Sequence, residues 1–356
     1  MLYELAKPAL FSFPAATAHE MAMMALGAGE HSAFVRDAMA RSFAPRVAEG
    51  ALRIDKLGLA FRNPVGLAGG FDKNALRPRS LAAFGFGFLE LGTVTAVAQD
   101  ANPSPNLFRL PKDRALINRL GFPNEGAAAV ARRIEARIGL RGARRDMPVP
   151  VGVSIGKSRV VDVEDFRSVV EDYLLAFEAV RPVADFIVVN VSSPNTKDLR
   201  RIQGPALARD LFSALAVRRH KVGDTVPLLA KVAPDLDDAE LDALFDVAAD
   251  CEFAGVVATN TTLSRKNLVT DAAAVRDVGA GGLSGPPLHA RACAVVARAR
   301  RRLGDQATII GVGGICDAAG ARAMFAAGAD LVQVYTGFVY GGPSFVRDVV
   351  EGLVQA

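Results

Sequence analysis

From residue 63 onward, short β-rich runs alternate with helical patterns, and this alternation constrains the fold more than any other feature. Several runs, such as 187–189 and 308–310, are apolar at successive positions, as expected of strands covered on both faces. The alternation predicts a parallel sheet, and eight βα units predict a closed (β/α)8 TIM barrel with an open doubly wound sheet as the alternative. The eight β-rich runs are 63–70, 86–95, 149–156, 185–195, 226–234, 253–262, 308–315 and 331–338.

Two segments depart from this alternation. Residues 96–148 are too long for a single crossover, so we expect an inserted hairpin or lid before a helix near 125–138. Residues 1–50 contain no strand pattern and two short helical ones, and Thr17 with Glu20 predicts a capping box in the second. These helices form either a cap on the barrel or a membrane-surface segment. We therefore divide the chain into a small N-terminal helical domain, 1–50, and a barrel, 51–356.

Composition excludes several classes of protein. With 356 residues, of which 51% are hydrophobic and 22% charged, the chain has the composition of a packed globular protein. A formal net charge of +4 is too small to indicate a nucleic-acid partner. Cys251, Cys293 and Cys316 are widely spaced, so neither a disulfide framework nor a metal site is expected. No apolar run reaches the roughly 18 residues of a membrane span, so we expect a protein inside the cell.

The carboxyl ends of the predicted strands carry most of the chemistry, as in other parallel barrels. The first run leads into 68–73, where Lys73 either places a cation at the barrel mouth or is a solvated turn lysine. The fourth run ends in amides and hydroxyls; turn chemistry explains Ser-Pro-Asn but not Asn190. Lys231 lies within an apolar run, where burial is unfavourable unless the lysine meets an anion or an electron-rich ring atom.

Three glycine clusters, at 281–285, 311–314 and 335–337, converge on the end of the barrel sequence. Barrels commonly bind phosphate after strands seven and eight, through glycine N–H groups and a helix N-terminus. The clusters therefore predict a phosphorylated cofactor or substrate.

The chain contains six blocks of sequence that occur in the same order in the dihydroorotate dehydrogenase family. On these blocks it resembles that family, and specifically its class 2, quinone-dependent, membrane-associated form. The resemblance runs through nearly the whole chain, including the N-terminal helices. It implies an FMN-containing barrel that oxidises (S)-dihydroorotate to orotate in pyrimidine (UMP) synthesis and passes electrons to a membrane quinone. It also implies peripheral association with the cytoplasmic side of the cell membrane. The blocks are 66–73, 118–122, 190–196, 258–262, 281–285 and 310–314.

Carried over position by position, the resemblance also implies site residues. Residues that would hold FMN are Ala68, Gly69, Gly70, Phe71, Asp72, Thr93, Ser154, Asn190, Lys231, Thr259, Gly285, Gly314, Tyr335 and Thr336. Ser154 stands where the family commonly has asparagine, and its shorter side chain reaches less far. Residues that would bind the substrate are Lys73, Asn118, Arg119, Leu120, Gly121, Phe122, Asn190, Asn195, Asn260 and Thr261.

In the same resemblance Ser193 is the catalytic base, which takes the C5 proton while a hydride leaves C6. Thr196 and Phe122 would shape a proton relay, and Lys73 would pair with the substrate carboxylate. His19 and Arg109 match quinone-tunnel positions; without the resemblance they are a helix-start polar residue and a solvated hairpin arginine.

Two other readings compete with this one. Class 1 enzymes have a cysteine at position 193, so Ser193 favours quinone over fumarate or nicotinamide as the acceptor. Another FMN barrel, such as a tRNA dihydrouridine synthase, should show a reactive cysteine and a nucleic-acid-binding domain, and the sequence shows neither. A catalytically silent membrane-surface scaffold would bind membranes without oxidising dihydroorotate.

Overall fold

The computed structural model describes residues 2–142 and 145–355. Its strands are β1 (Ile54–Lys56), β2 (Leu59–Phe61), β3 (Val65–Leu67), β4 (Phe88–Val94), β5 (Leu107–Leu110), β6 (Ala115–Asn118), β7 (Val151–Ile155), β8 (Phe186–Asn190), β9 (Leu228–Val232), β10 (Gly255–Ala258), β11 (Gly282–Ser284), β12 (Thr308–Val312) and β13 (Leu331–Val334). Its helices are α1 (Leu2–Ser12), α2 (Ala15–Ala25), α3 (Gly27–His31), α4 (Ala33–Phe43), α5 (Pro78–Ala82), α6 (Ala127–Ile138), α7 (Phe166–Val180), α8 (Pro205–Lys221), α9 (Asp238–Asp250), α10 (Ala272–Val278), α11 (His289–Leu303), α12 (Ala318–Ala326), α13 (Thr336–Gly341) and α14 (Phe345–Val354). Short 3-10 turns cover Pro111–Asp113, Leu199–Gln203 and Pro286–Leu288.

Eight parallel strands close into a barrel in the order β3, β4, β7, β8, β9, β10, β12, β13. The last strand pairs with the first, with Val332 opposite Val65 and Val334 opposite Leu67. This closure excludes the open doubly wound sheet and confirms the predicted TIM barrel. Each predicted run contains one barrel strand, and most runs extend beyond it because their polar ends form the loops at the barrel mouth.

Aromatic rings fill the amino end of the barrel. The antiparallel hairpin β1–β2, which the sequence analysis did not predict, brings Phe61 against Phe88, with ring centroids 5.4 Å apart. Phe88 in turn contacts Phe186 at 6.1 Å. A Cβ at Gly152 would lie 2.2 Å from the Phe186 ring, so glycine leaves room for it. With this end filled, a ligand can enter only from the carboxyl end.

The insertion at 96–148 contains the predicted hairpin, β5–β6, followed by the predicted helix α6. A third strand, β11, pairs antiparallel with β6, with Ser284 opposite Leu116. The sequence analysis interpreted 281–285 only as a glycine cluster and did not predict this strand. The resulting three-stranded sheet lies beside the barrel mouth and brings residues of the insertion to it.

The N-terminal segment forms four helices, α1 to α4, where the sequence predicted two. The predicted capping box is wrong: α2 begins at Ala15 after Pro14, so Thr17 lies within the helix and no side chain caps it. The segment packs on α5, where Arg77 Nε donates to the Met23 carbonyl at 2.7 Å. Among the residues that the structure describes, no helix has the length and apolarity to cross a membrane.

Candidate active site

A cavity opens at the carboxyl end of the barrel, where parallel barrels bind their ligands. Most of the residues that the resemblance assigns to FMN and substrate line it. They are Ala68, Gly69, Gly70, Lys73, Thr93, Asn118, Leu120, Gly121, Phe122, Asn190, Ser193, Asn195, Lys231, Thr259, Asn260, Thr261, Gly285, Gly314, Tyr335 and Thr336.

A buried charged pair forms the floor of this cavity. Lys231 Nζ donates to Glu90 Oε1 at 3.0 Å, and Gln333 Nε2 donates to Glu90 Oε2 at 2.8 Å. Glu90 is fully buried and Lys231 is 5% exposed. A Cβ at Gly69 would lie 2.2 Å from Glu90 Oε1, so glycine is required there. The sequence predicted that a lysine in an apolar strand needs an anion. The Glu90 carboxylate is that anion.

Asn190 organises the polar wall of the cavity. Its Nδ2 donates to Thr93 Oγ1 at 3.0 Å, and its Oδ1 accepts from Ser192 Oγ at 3.1 Å. Asn260 Nδ2 donates to the same Ser192 hydroxyl at 3.1 Å. Ser154 lies one layer behind, with its Oγ 2.9 Å from Thr93 Oγ1. The ends of four barrel strands, β4, β7, β8 and β10, thus share one hydrogen-bond network, which holds the two amides at the cavity wall.

Gly285 and Gly314, from two of the glycine clusters, line one corner of the cavity, where main-chain atoms form the wall. We call this part of the cavity the glycine corner. Gly285 and Gly314 have φ of +100° and +69°, which favour glycine. A Cβ at Gly314 would lie 2.8 Å from the Gly285 carbonyl oxygen, so a larger residue would push the two loops apart. Thr336, at the start of α13, lines the cavity next to them. Such a backbone concavity suits the phosphate of a bound cofactor.

Ser193 faces the cavity from the loop after β8. The residue is 4% exposed, and its Oγ accepts from the Asn195 N–H at 3.2 Å. Asn195 Nδ2 donates to Asn118 Oδ1 at 2.9 Å, which ties this loop to the inserted hairpin. Thr196 Oγ1 is buried and has no hydrogen-bond partner within the part of the chain that the structure describes. The hydroxyl of Ser193 is therefore shielded from bulk water.

Lys73 lines the cavity, and its charge acts on His19, which lies outside the cavity lining. Burial lowers the pKa of Lys73 to about 8, and the nearby Asp72 carboxylate partly opposes this shift. Burial, helped by the Lys73 charge, lowers the pKa of His19 to about 4. His19 is consequently neutral at physiological pH, whereas Lys73 is charged there and titrates just above it.

Five of the residues predicted to serve FMN, the substrate or the proton relay lie outside this cavity. Asp72 turns its carboxylate to the backbone N–H groups of residues 76 and 77, with both bonds at 2.7 Å. Arg119 Nη1 donates to the Val278 carbonyl at 2.5 Å, so its side chain ties the hairpin to α10. The others are Phe71, which lines a second cavity, Ser154, which is behind Thr93, and Thr196, which is buried beside the Ser193 loop.

A second cavity lies between α1, α2 and the barrel. Its lining is almost entirely apolar, and both His19 and Arg109 belong to it. Arg109 Nη1 donates to the Leu10 carbonyl at 3.3 Å, and its guanidinium lies 4.6 Å from the Phe11 ring. Arg109 is therefore not the solvated hairpin arginine of the alternative reading. Leu107, Leu116 and Tyr335 line both cavities.

Sequence reasoning missed several of these residues. Glu90 carried a usable signal, because a carboxylate within a fully apolar strand needs a buried partner. Gln333 carried the same signal in β13. Leu107 and Leu116 carried none, since apolar residues in a hairpin do not reveal which cavity they separate.

Comparison with known proteins agrees with the resemblance. A family model described as dihydroorotate dehydrogenase matches residues 51–356. The dihydroorotate dehydrogenase (quinone) of Corynebacterium efficiens is 44% identical over 354 residues, covering 99% of this chain and 89% of that protein. Its namesake from Clavibacter sepedonicus is 51% identical over 305 residues, covering 86% and 85%. The crystal structure of DHODH in complex with ferulenol from Eimeria tenella has a TM-score of 0.83 and 34% identity, covering 95% of this chain and 90% of that one. The chain belongs to the dihydroorotate dehydrogenase family.

Proposed function

We propose that this protein is an FMN-dependent dihydroorotate dehydrogenase that passes electrons to a membrane quinone. The observation that carries the proposal is the adjacency of two unlike cavities. The polar one contains Ser193, Lys73 and the strand-end amides, whereas the other is apolar. Because Leu107, Leu116 and Tyr335 line both cavities, a polar reductant and a lipid-soluble oxidant could each approach a flavin bound beside these residues.

The residues present fit FMN as the flavin. The glycine corner at Gly285 and Gly314 offers backbone N–H groups without side chains, as a terminal phosphate requires. Lys231 places a cation at the cavity floor, which favours negative charge on a ring bound above it. Among the described residues, Gln333 Oε1 is buried and has no hydrogen-bond partner, so it can accept a hydrogen bond from such a ring. When bound, the flavin supplies the hydride acceptor and releases the electrons to quinone.

The protein side chains bind the substrate and handle its proton. The Lys73 ammonium pairs with the dihydroorotate carboxylate, and Asn118, Asn195 and Asn260 match the donors and acceptors of the cyclic ureide. Ser193 Oγ takes the proton at C5, next to a carbonyl. A free serine is a weak base, so orientation and exclusion of water must lower the barrier. Thr196, whose hydroxyl has no protein partner, is placed to pass the proton onward.

Anaerobic addition of dihydroorotate to the purified protein tests the proposal directly. We expect the flavin absorbance near about 450 nm to bleach and to return when a lipid-soluble quinone is added. A protein without flavin bands, or one whose bands persist, would contradict the enzyme assignment and support the silent scaffold.

We further infer that residues 1–50 associate peripherally with the cytoplasmic face of the cell membrane and guide quinone to the second cavity. Between residues 8 and 29 the only ionisable side chains are His19 and Glu20, so this surface is easily desolvated. Phe13, Met24 and Phe34 are exposed, at 44%, 67% and 77%. A quinone arriving from lipid would meet this apolar surface before it met water.

Filling the apolar cavity should separate the two half-reactions. Ala18 lines that cavity from α2, so Ala18→Phe is expected to raise the KM for a long-tailed quinone about tenfold or more. Reduction of the flavin by dihydroorotate should be unchanged. Ala16→Phe, on the same helix but outside the cavity lining, is the matched control. Steady-state and anaerobic stopped-flow assays measure the two effects, and equal losses in both variants would argue against a quinone path here.

The pKa of Lys73 predicts the pH dependence of substrate capture. Because its pKa is lowered to about 8, the free enzyme loses the ammonium above that pH and with it the partner of the substrate carboxylate. We expect kcat/KM for dihydroorotate to be level below pH 8 and to fall about tenfold per pH unit above it. In Lys73→Arg the guanidinium stays charged, so the fall should move to higher pH. An unchanged break in that variant would assign it to another group.

A further inference from the structure

Arg200 lies outside the cavity but contacts three of the loops that form it. It is the second residue of the 3-10 turn Leu199–Gln203, which follows loop 191–198, and its side chain is 21% exposed. Its Nε donates to the Ser192 carbonyl at 3.1 Å, and its Nη2 donates to the Thr261 carbonyl at 3.0 Å. Its Nη1 donates to Asp235 Oδ2 at 2.7 Å. One guanidinium therefore joins the loops after β8, β9 and β10.

The carbonyls that Arg200 holds belong to the peptide units of cavity residues. The Ser192 carbonyl shares a planar peptide with the N–H of Ser193, so fixing its direction fixes how Ser193 leaves the strand. The Thr261 carbonyl belongs to a residue that lines the cavity beside Asn260. A planar guanidinium donates in fixed directions, whereas an ammonium acts as a point charge on a flexible stem.

The other end of this bridge is itself anchored. Asp235 accepts from the Thr262 hydroxyl, and its Oδ2 also accepts from the Leu263 N–H at 3.0 Å. Gln203, from the same 3-10 turn as Arg200, accepts from the Ala233 N–H at 2.9 Å. The loop after β9 thus gives the guanidinium a fixed point of attachment.

Ser193 needs such support. Its hydroxyl accepts a hydrogen bond from the Asn195 N–H, which belongs to the same loop. Loop 191–198 contains no helix or strand. One end of the loop is fixed by β8 and its Asn190 network. The other end is fixed by Arg200. The guanidinium thus adds a main-chain link between the serine loop and the Asn260–Thr261 edge, beside the side-chain bond from Asn260 Nδ2 to the Ser192 hydroxyl.

We infer that Arg200 is a positioning residue, which sets the Ser193 hydroxyl and the Asn260–Thr261 edge in register for one substrate ring. The inference rests on the proposed function, because it assumes that dihydroorotate binds between these groups. A misplacement of about 1 Å in a site of this kind can cost about 100-fold in rate. The loss should fall on flavin reduction, since Arg200 contacts neither the apolar cavity nor the glycine corner.

The test compares Arg200→Gln, Arg200→Lys and the control Arg201→Gln in the flavin-loaded enzyme. Arg201 is the next residue, 52% exposed, and forms an ion pair with Glu164. We expect Arg200→Gln to lower the limiting rate of flavin reduction by dihydroorotate about 10- to 100-fold, per mole of bound flavin. Reoxidation by quinone should be unchanged. Arg200→Lys keeps a cation for Asp235 and should recover part of the rate, whereas Arg201→Gln should match the wild type.

A merely structural role would give a different result. Arg200→Gln would then lower flavin content and thermal stability while the rate per bound flavin stayed at the wild-type value, and this outcome would overturn the inference. If Arg200→Gln does not fold, Asp235→Asn and Arg200→Lys decide: slowed reduction supports positioning, and wild-type rates overturn it. Absence of bleaching in the wild type would instead refute the proposed function, which separates the two failures.

Discussion

Ser193→Ala is expected to slow reduction of the bound flavin by dihydroorotate about 100- to 10,000-fold, the usual contribution of a positioned general base. The variant should still bind flavin, because Ser193 contacts neither the glycine corner nor the Lys231–Glu90 pair in the structure. Reoxidation of chemically reduced flavin by quinone should also be unaffected, since the apolar cavity is lined by other residues.

Anaerobic stopped-flow absorbance measures the first half-reaction, and flavin released on denaturation gives the cofactor content. Ser264→Ala is the matched control, because Ser264 is an exposed serine in the loop after β10, at the same end of the barrel, and outside the cavity lining. Normal flavin reduction in Ser193→Ala would remove the assignment of the base. Loss of flavin from the variant would show that the hydroxyl supports the cofactor instead.

The barrel was predictable from sequence because its determinants are local. Each run is apolar over a few residues and ends in glycine or polar residues, which is enough to predict strands and their mouth loops. The β1–β2 hairpin is local, since Lys56 pairs with Leu59, but its three-residue strands are too short to show an alternating pattern. The strand β11 was not predictable, because its short segment is a strand only through pairing with a distant partner. Ser284, for example, pairs with Leu116 across 168 positions of sequence. The false capping box at Thr17 has a local cause, since α2 already begins at Ala15, directly after Pro14.

Residues of the candidate site were predictable in two cases. Either the family resemblance assigned the residue a role, or a charged residue stood in an apolar strand, where burial is unfavourable without a partner. Lys231 was singled out because a lysine in an apolar strand needs an anion, and Glu90 was overlooked although the same reasoning applies to it. Arg200 and Arg119 show the limit of such reasoning. Each donates to main-chain carbonyl groups of other segments. Because every residue type has such a carbonyl, the sequence does not show which residue will accept the bond.

Lys231→Met is expected to lower the free energy of unfolding by about 3–5 kcal/mol, because it leaves the Glu90 carboxylate buried without its cation. Glu90 is fully buried, so water cannot replace the lost partner. The double variant Glu90→Gln/Lys231→Met removes the charge as well and should recover most of this loss. Both variants lack the lysine proposed to contact the flavin, so their difference isolates the unpaired carboxylate from any loss of cofactor.

Chemical denaturation followed by circular dichroism, with flavin content measured in parallel, gives the comparison. Asp242→Asn is the control, because it breaks a more exposed pair, Arg298 with Asp242, whose loss should cost about 0–1 kcal/mol. If the double variant proves as unstable as Lys231→Met, the loss would come from the missing flavin contact and not from the carboxylate. Recovery in the double variant without recovery of dihydroorotate oxidation would show that the pair holds the cavity floor together while the lysine alone serves the flavin.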